Sequence, residues 1–261
     1  MEKTLLLTGG SSGIGKATVE LFASRGWRVF ELSRHGRSHG NIVHIDCDVC
    51  DEPGVQKAVE EVLQQTERLD VVISNAGYGI SGAVEFTEMA DAHHQFDVNF
   101  FGTLAVTKAV LPQLRKQQGG RIIYTSSVAA VLSIPYQSFY CASKAAINAF
   151  ALALQNEVRS FGITVSVLMP GDVATGFTDA RNKSDRGSEV YPHAQKAVET
   201  MEKDERAGMS PLAMARDFYR IATTANPAPQ YVGGAQYKFF CFLDRVLPKR
   251  LVNRIVGALY Q

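Results

Sequence analysis

Leu5-Leu6-Leu7-Thr8-Gly9-Gly10-Ser11-Ser12-Gly13-Ile14-Gly15 decides the fold. The leucines, bounded by glycines, read as a short buried strand. Residues 16–23 (KATVELFA) then show helical spacing. A strand, a tight glycine turn and a helix N-terminus make an anion site. Glycines let the backbone approach a phosphate, and unpaired N–H groups with the helix dipole hold it. The spacing is Thr8-Gly9-x-x-x-Gly13-x-Gly15, not the more familiar G-x-G-x-x-G. Its place between strand and helix makes it a nucleotide-binding candidate.

The same alternation continues down the chain. Gly26 ends the first helix, and strands follow over 27–32, 41–46 and 69–74, with an amphipathic helix over 53–67 between the last two. Helical pattern then runs over 87–118 in two pieces, a strand over 121–127, a helix over 140–161 and a sixth strand over 163–169. Strands alternating with helices predict an α/β fold: a Rossmann-type, doubly wound parallel sheet with helices on both faces. No linker or low-complexity run divides residues 1–261, so one domain is expected.

In such a fold the end of the second strand meets the adenosine ribose. Here it reads Ser33-Arg34-His35-Gly36-Arg37. A small hydroxyl followed by basic residues suits the 2′-phosphate of NADP, whereas an acid would suit the 2′-hydroxyl of NAD. Glu31 lies two residues earlier, so a small error in the strand end would matter. Asp48 follows the third strand and Asn75-Ala76-Gly77 the fourth, both at the edge where open sheets bind ligands. Asparagine is a mediocre helix former, so Asn99 inside a helix suggests a buried partner for its amide.

Tyr140 and Lys144 lie four apart and share a helix face. A free tyrosine loses its proton near pH ~10, and a nearby cation pulls that value down. The pair is therefore a candidate proton donor and acceptor.

Bulk properties exclude other classes. The chain is 46% hydrophobic and 20% charged, which suits a soluble globular protein with one sizeable core. A net charge of +1 gives no nucleic-acid footprint. Four cysteines form no disulfide framework and point to a reducing compartment, with cytoplasmic localisation expected. Cys47 and Cys50 form a C-x-x-C with no second pair or nearby histidine, so no metal is expected. His93 and His94 read as surface or interface residues. The first apolar run is too short for a signal peptide, and none approaches a membrane span.

Together these motifs resemble the short-chain dehydrogenases/reductases, in their compact single-domain branch, over about residues 4–175. Thr8, Gly9, Ser11, Ser12, Gly13, Ile14 and Gly15 look like the family's cofactor loop. Asp48, with Val49, sits where the family holds the adenine. Asn75, Ala76 and Gly77 match its Asn-Ala-Gly motif, with Ser74 where a second asparagine is common. Ser127 precedes Tyr140 by the usual separation, and Tyr140-x-x-x-Lys144 is the signature. Pro170, Gly171, Val173 and Thr175 fit the loop that closes on the nicotinamide. The resemblance implies that Ser127 stabilises charge on the substrate oxygen, Tyr140 protonates it, Lys144 lowers the tyrosine's pKa and holds the ribose, and Asn99 anchors a relay water. Ser33 and Arg34 resemble the NADPH-preferring version, although Ser12 stands where some such members carry a basic residue. The implied activity is NADP(H)-dependent hydride transfer between nicotinamide and a carbonyl or secondary alcohol, by a homodimer or homotetramer. A non-catalytic NADP(H)-binding sensor or scaffold is the alternative.

Two regions depart from the core pattern. Residues 178–208 are a charged insertion, and 172–208 are expected to form a lid, with Pro192 opening a short helix. Ser210-Pro211 reads as a helix start, carrying on to about residue 223. The tail over 236–261 is apolar and then basic and amphipathic. It can cover the substrate pocket, pack on another subunit or lie on a membrane surface, with pocket cover favoured over the membrane. Lid and tail loosely resemble branches acting on hydroxysteroids, retinoids or other lipophilic carbonyls.

Overall fold

The structure, a computed structural model, describes residues 2–260. In chain order its elements are β1 (Thr4–Thr8), α1 (Gly13–Ser24), β2 (Arg28–Ser33), β3 (Ile42–Asp46), α2 (Glu52–Gln65), β4 (Val71–Ser74) and β5 (Ile80–Ser81). Then come α3 (Met89–Phe96), α4 (Gly102–Lys116), β6 (Gly120–Thr125), α5 (Ser138–Val158), β7 (Ile163–Pro170), α6 (Phe177–Ala180) and β8 (Asn182–Lys183). The chain ends in α7 (Ala194–Arg206), α8 (Pro211–Thr223), β9 (Gln230–Gly233), α9 (Ala235–Val246) and α10 (Lys249–Leu259).

Seven parallel strands form one sheet in the order β3-β2-β1-β4-β6-β7-β9. Successive side chains on a strand point to opposite faces, and β1 shows what that does. Leu6 packs with Val106, Val110 and Ile147, from α4 and α5, on one face. Leu5 and Leu7 pack with Phe22 and Phe218, from α1 and α8, on the other. All three leucines are fully buried, so cutting any one to alanine would cost about 2–5 kcal/mol. A run of leucine without polar alternation is what a strand covered on both faces requires.

Strand order reverses between β1 and β4, whose ends Thr8 and Ser74 lie side by side. The carboxyl ends of strands at such a switch point form the crevice where doubly wound sheets bind ligands.

Two expectations need correcting. The sheet has a seventh strand, β9, where six were read. The helical pattern over 87–118 does fall in two pieces, α3 and α4, joined by a π-helical turn, Asp97–Phe101, that carries Asn99. Pro192 does not open a short helix. The helix there, α7, begins two residues later and runs for 13 residues. The Ser210 start holds, since its hydroxyl accepts from Ala213 N at 3.3 Å and caps α8.

Candidate active site

The glycine loop is held from below. Thr8 Oγ1 accepts from the backbone N–H groups of Asn75 and Ala76 at 3.1 and 3.2 Å. Asn75 Nδ2 donates to the carbonyls of Thr8 and Gly9, both at 3.2 Å. These bonds join the ends of β1 and β4 into one floor. Gly9 has φ +72°, a conformation open to glycine at little cost. A Cβ on Gly15 would lie 2.0 Å from the Gly9 carbonyl, so the turn closes only without side chains. Such a cradle at the start of α1 fits a pyrophosphate. Ser11 and Ser12 are exposed on its rim and Gly15 is buried beneath it. From across the crevice Thr175 reaches the same loop, since a Cβ on Gly13 would lie 3.4 Å from its side chain.

At the end of β2, Ser33 is buried and its hydroxyl donates to the His35 carbonyl at 3.0 Å, closing the turn. Arg34 is exposed and lines a cleft of about 590 Å³ with Ser11, Lys16 and Arg37. Across from it, burial and then Asp48 push the Cys50 thiol up to about 11, with Arg34 opposing. Arg34 therefore lies between the cleft and the Asp48–Cys50 turn, where Asp48 Oδ1 accepts from Cys50 N at 2.9 Å. Val49 is buried against Gly102.

Glu31 lines the same cleft, but its carboxylate already has partners. It is buried, one carboxylate oxygen accepts from Gly10 N at 2.9 Å, and the other lies 2.5 Å from His44 Nδ1. His44 also contacts Asp46 at 2.9 Å. Burial lowers the His44 pKa, but the hydrogen bonds and charges of Asp46 and Glu31 outweigh it and the net shift is upward.

The expected proton-handling residues converge beyond the ends of β4 and β6. Ser127 follows β6, and its Oγ accepts from Ala129 N at 3.1 Å. That bond uses a lone pair and leaves the hydroxyl proton to be donated. Tyr140 lies in the first turn of α5 with the Ser127 hydroxyl beside its phenol. Lys144 is buried one turn on, and its Nζ donates to the Thr125 carbonyl at 3.0 Å. Asn99 is fully buried in the π turn, a kind of distortion often found at functional sites. It brackets Tyr78, accepting from its N at 3.0 Å and donating to its O at 3.1 Å. It also donates to Ser143 Oγ at 3.1 Å. A Cβ on Gly77 would lie 3.0 Å from Asn99 Oδ1 and 3.3 Å from Lys144 Nζ, so both atoms border one small space.

The electrostatics run against one expectation. Burial pushes the Tyr140 phenol up, with the Ser127 hydrogen bond working the other way. The Lys144 Nζ lies 5.8 Å from the Tyr140 ring centroid, and the net shift of the phenol is still upward. Burial instead lowers Lys144 itself to about 8. Desolvation is the largest effect at both groups.

Several contributors were not read from the sequence. Gln95 is fully buried and holds the 78–80 loop through Ile80 N at 2.8 Å and Tyr78 O at 2.6 Å. Phe177 packs on Tyr140, ring centroids 5.8 Å apart. Tyr237 donates to Asp172 Oδ2 at 2.5 Å and fills the space over Gly171, where a Cβ would meet its ring at 2.1 Å. Beside them, Val173 bridges to Met209 and Pro170 ends β7. The helix-propensity signal that singled out Asn99 does not extend to Gln95, because glutamine is a good helix former.

Comparison with known proteins agrees with this architecture. The sequence profile of the short chain dehydrogenases matches residues 3–186. A 3-ketodihydrosphingosine reductase of Bacteroides thetaiotaomicron is 39% identical over 227 residues, covering 85% of this chain and 84% of that protein. The crystal structure of a short-chain dehydrogenase from Streptomyces avermitilis superposes with a TM-score of 0.84 at 28% identity, covering 94% of this chain and 93% of that one. A Burkholderia phymatum short chain dehydrogenase/reductase in complex with NAD has the same fold, with a TM-score of 0.81 at 23% identity over 94% and 92% of the two chains. With a family profile matched across more than half its length, and the sheet order and glycine turn described above, this chain belongs to the short-chain dehydrogenase/reductase family.

Proposed function

We propose that the protein is an NADP(H)-dependent oxidoreductase that interconverts a lipophilic ketone and its secondary alcohol. One observation carries this. Ser127, Tyr140, Lys144 and Asn99 gather at the carboxyl end of the sheet, across the crevice from the glycine cradle at 9–15. When bound, the nicotinamide supplies or accepts the hydride. The chain does the rest. Ser127, its oxygen already accepting from Ala129, donates to the substrate oxygen and stabilises the charge that develops there. Tyr140 delivers the proton to that oxygen. Its raised pKa keeps the phenol protonated, so it starts as the acid that reduction needs. Lys144, lowered to about 8, exchanges protons near neutrality and can restore that proton through the space it shares with Asn99 Oδ1.

The preference for NADP rests on charge at the end of β2. Arg34 is exposed at the cleft, whereas Glu31, the acid that would favour a free 2′-hydroxyl, is already engaged by Gly10 and His44. The 3-ketodihydrosphingosine reductase supplies the leading substrate class, a long-chain ketone. The outer side of α5 supports homo-oligomer formation. Ala142, Ala149 and Ala153 face outward there, next to exposed Leu152, with Phe101 exposed on the adjoining π turn.

The test is NADPH oxidation over 3-ketodihydrosphingosine, ketosteroids, retinal and 3-oxoacyl thioesters, with Tyr140→Phe alongside. Turnover of at least one ketone, lost in the variant while NADPH binding persists, is expected. Retained turnover in the variant would remove Tyr140 from the mechanism. Tight NADPH binding without turnover of any ketone would favour a sensor.

A further inference from the structure

The last two helices turn their most apolar faces away from the protein. In α9 the buried residues are Tyr237, Cys241 and Asp244, which share one side. Phe239, Phe242 and Val246 lie on the opposite side and are 57%, 58% and 58% exposed. No residue of α10 is buried, and Leu251, Ile255 and Leu259 form a stripe at i, i+4 and i+8 that is also open. Such a stripe is normally what anchors a helix to its core. Here two of them, in consecutive helices, remain uncovered.

Their charge says what covers them. Residues 235–260 hold five cations and one carboxylate, a net charge of +4, in a chain whose net charge is +1, so the remainder is −3. The single acid, Asp244, is paired with Lys249 at 2.5 Å. Lys238, Arg245, Arg250 and Arg254 join no salt bridge among the described residues. On α10, Arg250 and Arg254 lie next to the apolar stripe, where long side chains can reach past it to a charged layer. A second copy meeting this surface face to face would set +4 against +4. Neither helix is long or apolar enough to cross a bilayer. Apolar residues flanked by unpaired cations fit an anionic lipid surface.

We propose that α9 and α10 dock the protein on the surface of an anionic phospholipid bilayer, with the phenylalanines of α9 and the stripe of α10 entering the headgroup boundary. The docking face adjoins the site. Tyr237 on α9 bonds Asp172, and burial, followed by the charges of Asp172 and Asp204, pushes the Tyr260 phenol up just beyond α10. The tail therefore roofs the 170–175 loop with one side and meets lipid with the other. A long-chain ketone could then enter from the acyl layer, a consequence that rests on the function proposed above. The docking itself does not.

Co-sedimentation tests it without turnover. The full chain is mixed at low salt with phosphatidylcholine vesicles, with and without phosphatidylglycerol. Binding to the anionic vesicles, weakened by salt, is expected. Arg250→Gln with Arg254→Gln should weaken it by roughly thirtyfold, and Phe239→Ser with Phe242→Ser should abolish it. All four positions are exposed, and melting curves confirm that the variants fold. Failure of the intact protein to bind anionic vesicles at low salt would overturn the proposal. So would binding that both variants leave unchanged, or self-association in ultracentrifugation that the phenylalanine variant abolishes, which would assign the face to a second copy.

Discussion

Lys144 is held at a cost that Lys144→Met measures. Burial lowers the ammonium from 10.5 to about 8. That difference corresponds to roughly 3 kcal/mol of penalty on the charged form. Methionine fills similar space without the charge, but it gives up the bond from Nζ to the Thr125 carbonyl, worth about 1–2 kcal/mol. The cofactor-free variant should therefore be more stable by about 1–2 kcal/mol at neutral pH, a rise in Tm of about 2–6 °C for a chain of this size. The sign depends on pH. A lysine whose folded value is depressed penalises the native state fully below that value, and the penalty fades as pH rises from about 8 through 10.5. The variant should lead below about pH 8 and trail the parent above about pH 10.5, by the worth of the lost bond. Turnover should be lost at every pH. Urea melts of both proteins across this range, with NADPH oxidation in parallel, provide the assay. A variant less stable at neutral pH, or a stability difference that does not change between about pH 8 and 10.5, would refute the reasoning.

If Arg34 reads the 2′-phosphate as proposed, Arg34→Asp should weaken NADPH binding by roughly ten- to a hundredfold and NADH binding much less, through loss of that charge-assisted contact. Fluorescence titration of both cofactors decides it, and equal effects would mean that Arg34 does not read the phosphate. Glu31→Gln acts through His44, whose raised value adds stability that is full below about pH 6.5 and lost as pH rises through the folded value. With one carboxylate gone that loss should flatten, and urea melts at about pH 5 and about pH 8 should differ less than in the parent.

The parts legible in the sequence are those with local causes. Leu5-Leu6-Leu7 gives a buried strand because no polar residue interrupts it, and the glycines after it leave one turn and one helix start. The first six strands of the sheet followed from such runs. β9 did not, because Gln230-Tyr231-Val232-Gly233 is four residues long, buries only Gly233 and lies between prolines and a second glycine. Its partner is β7, more than sixty residues back. The site divides the same way. The spacing of Tyr140 and Lys144 is a property of one helix and could be read. The place of Asn99 in a helix suggested a buried partner, but that the partner is Ser143, 44 residues away, nothing local signals. Glu31 was ambiguous for another reason. The strand end locates the residue, but only the tertiary position of Gly10 shows that its carboxylate is already occupied.

The roof over Tyr140 holds a buried ion pair. Phe177 packs on the Tyr140 ring, and the Arg181 guanidinium lies over Phe177, 5.7 Å from its centroid. Arg181 is buried and paired with Glu205, which also accepts from Thr178 at 2.7 Å. The two charges act on the phenol in opposite senses: Glu205 raises its pKa and Arg181 lowers it. While they stay together their effects oppose each other, and desolvation is the largest effect on the phenol. Separating them would leave one effect uncompensated, in a low-dielectric region where charge effects are large. Arg181 Nε and Nη1 are buried without partners, so this pair is less completely bonded than the Asn99–Ser143 network below it. The Tyr140 phenol thus lies between the sheet edge and the polar segment at 177–206, the part of the chain that departs most from the alternating pattern of the core.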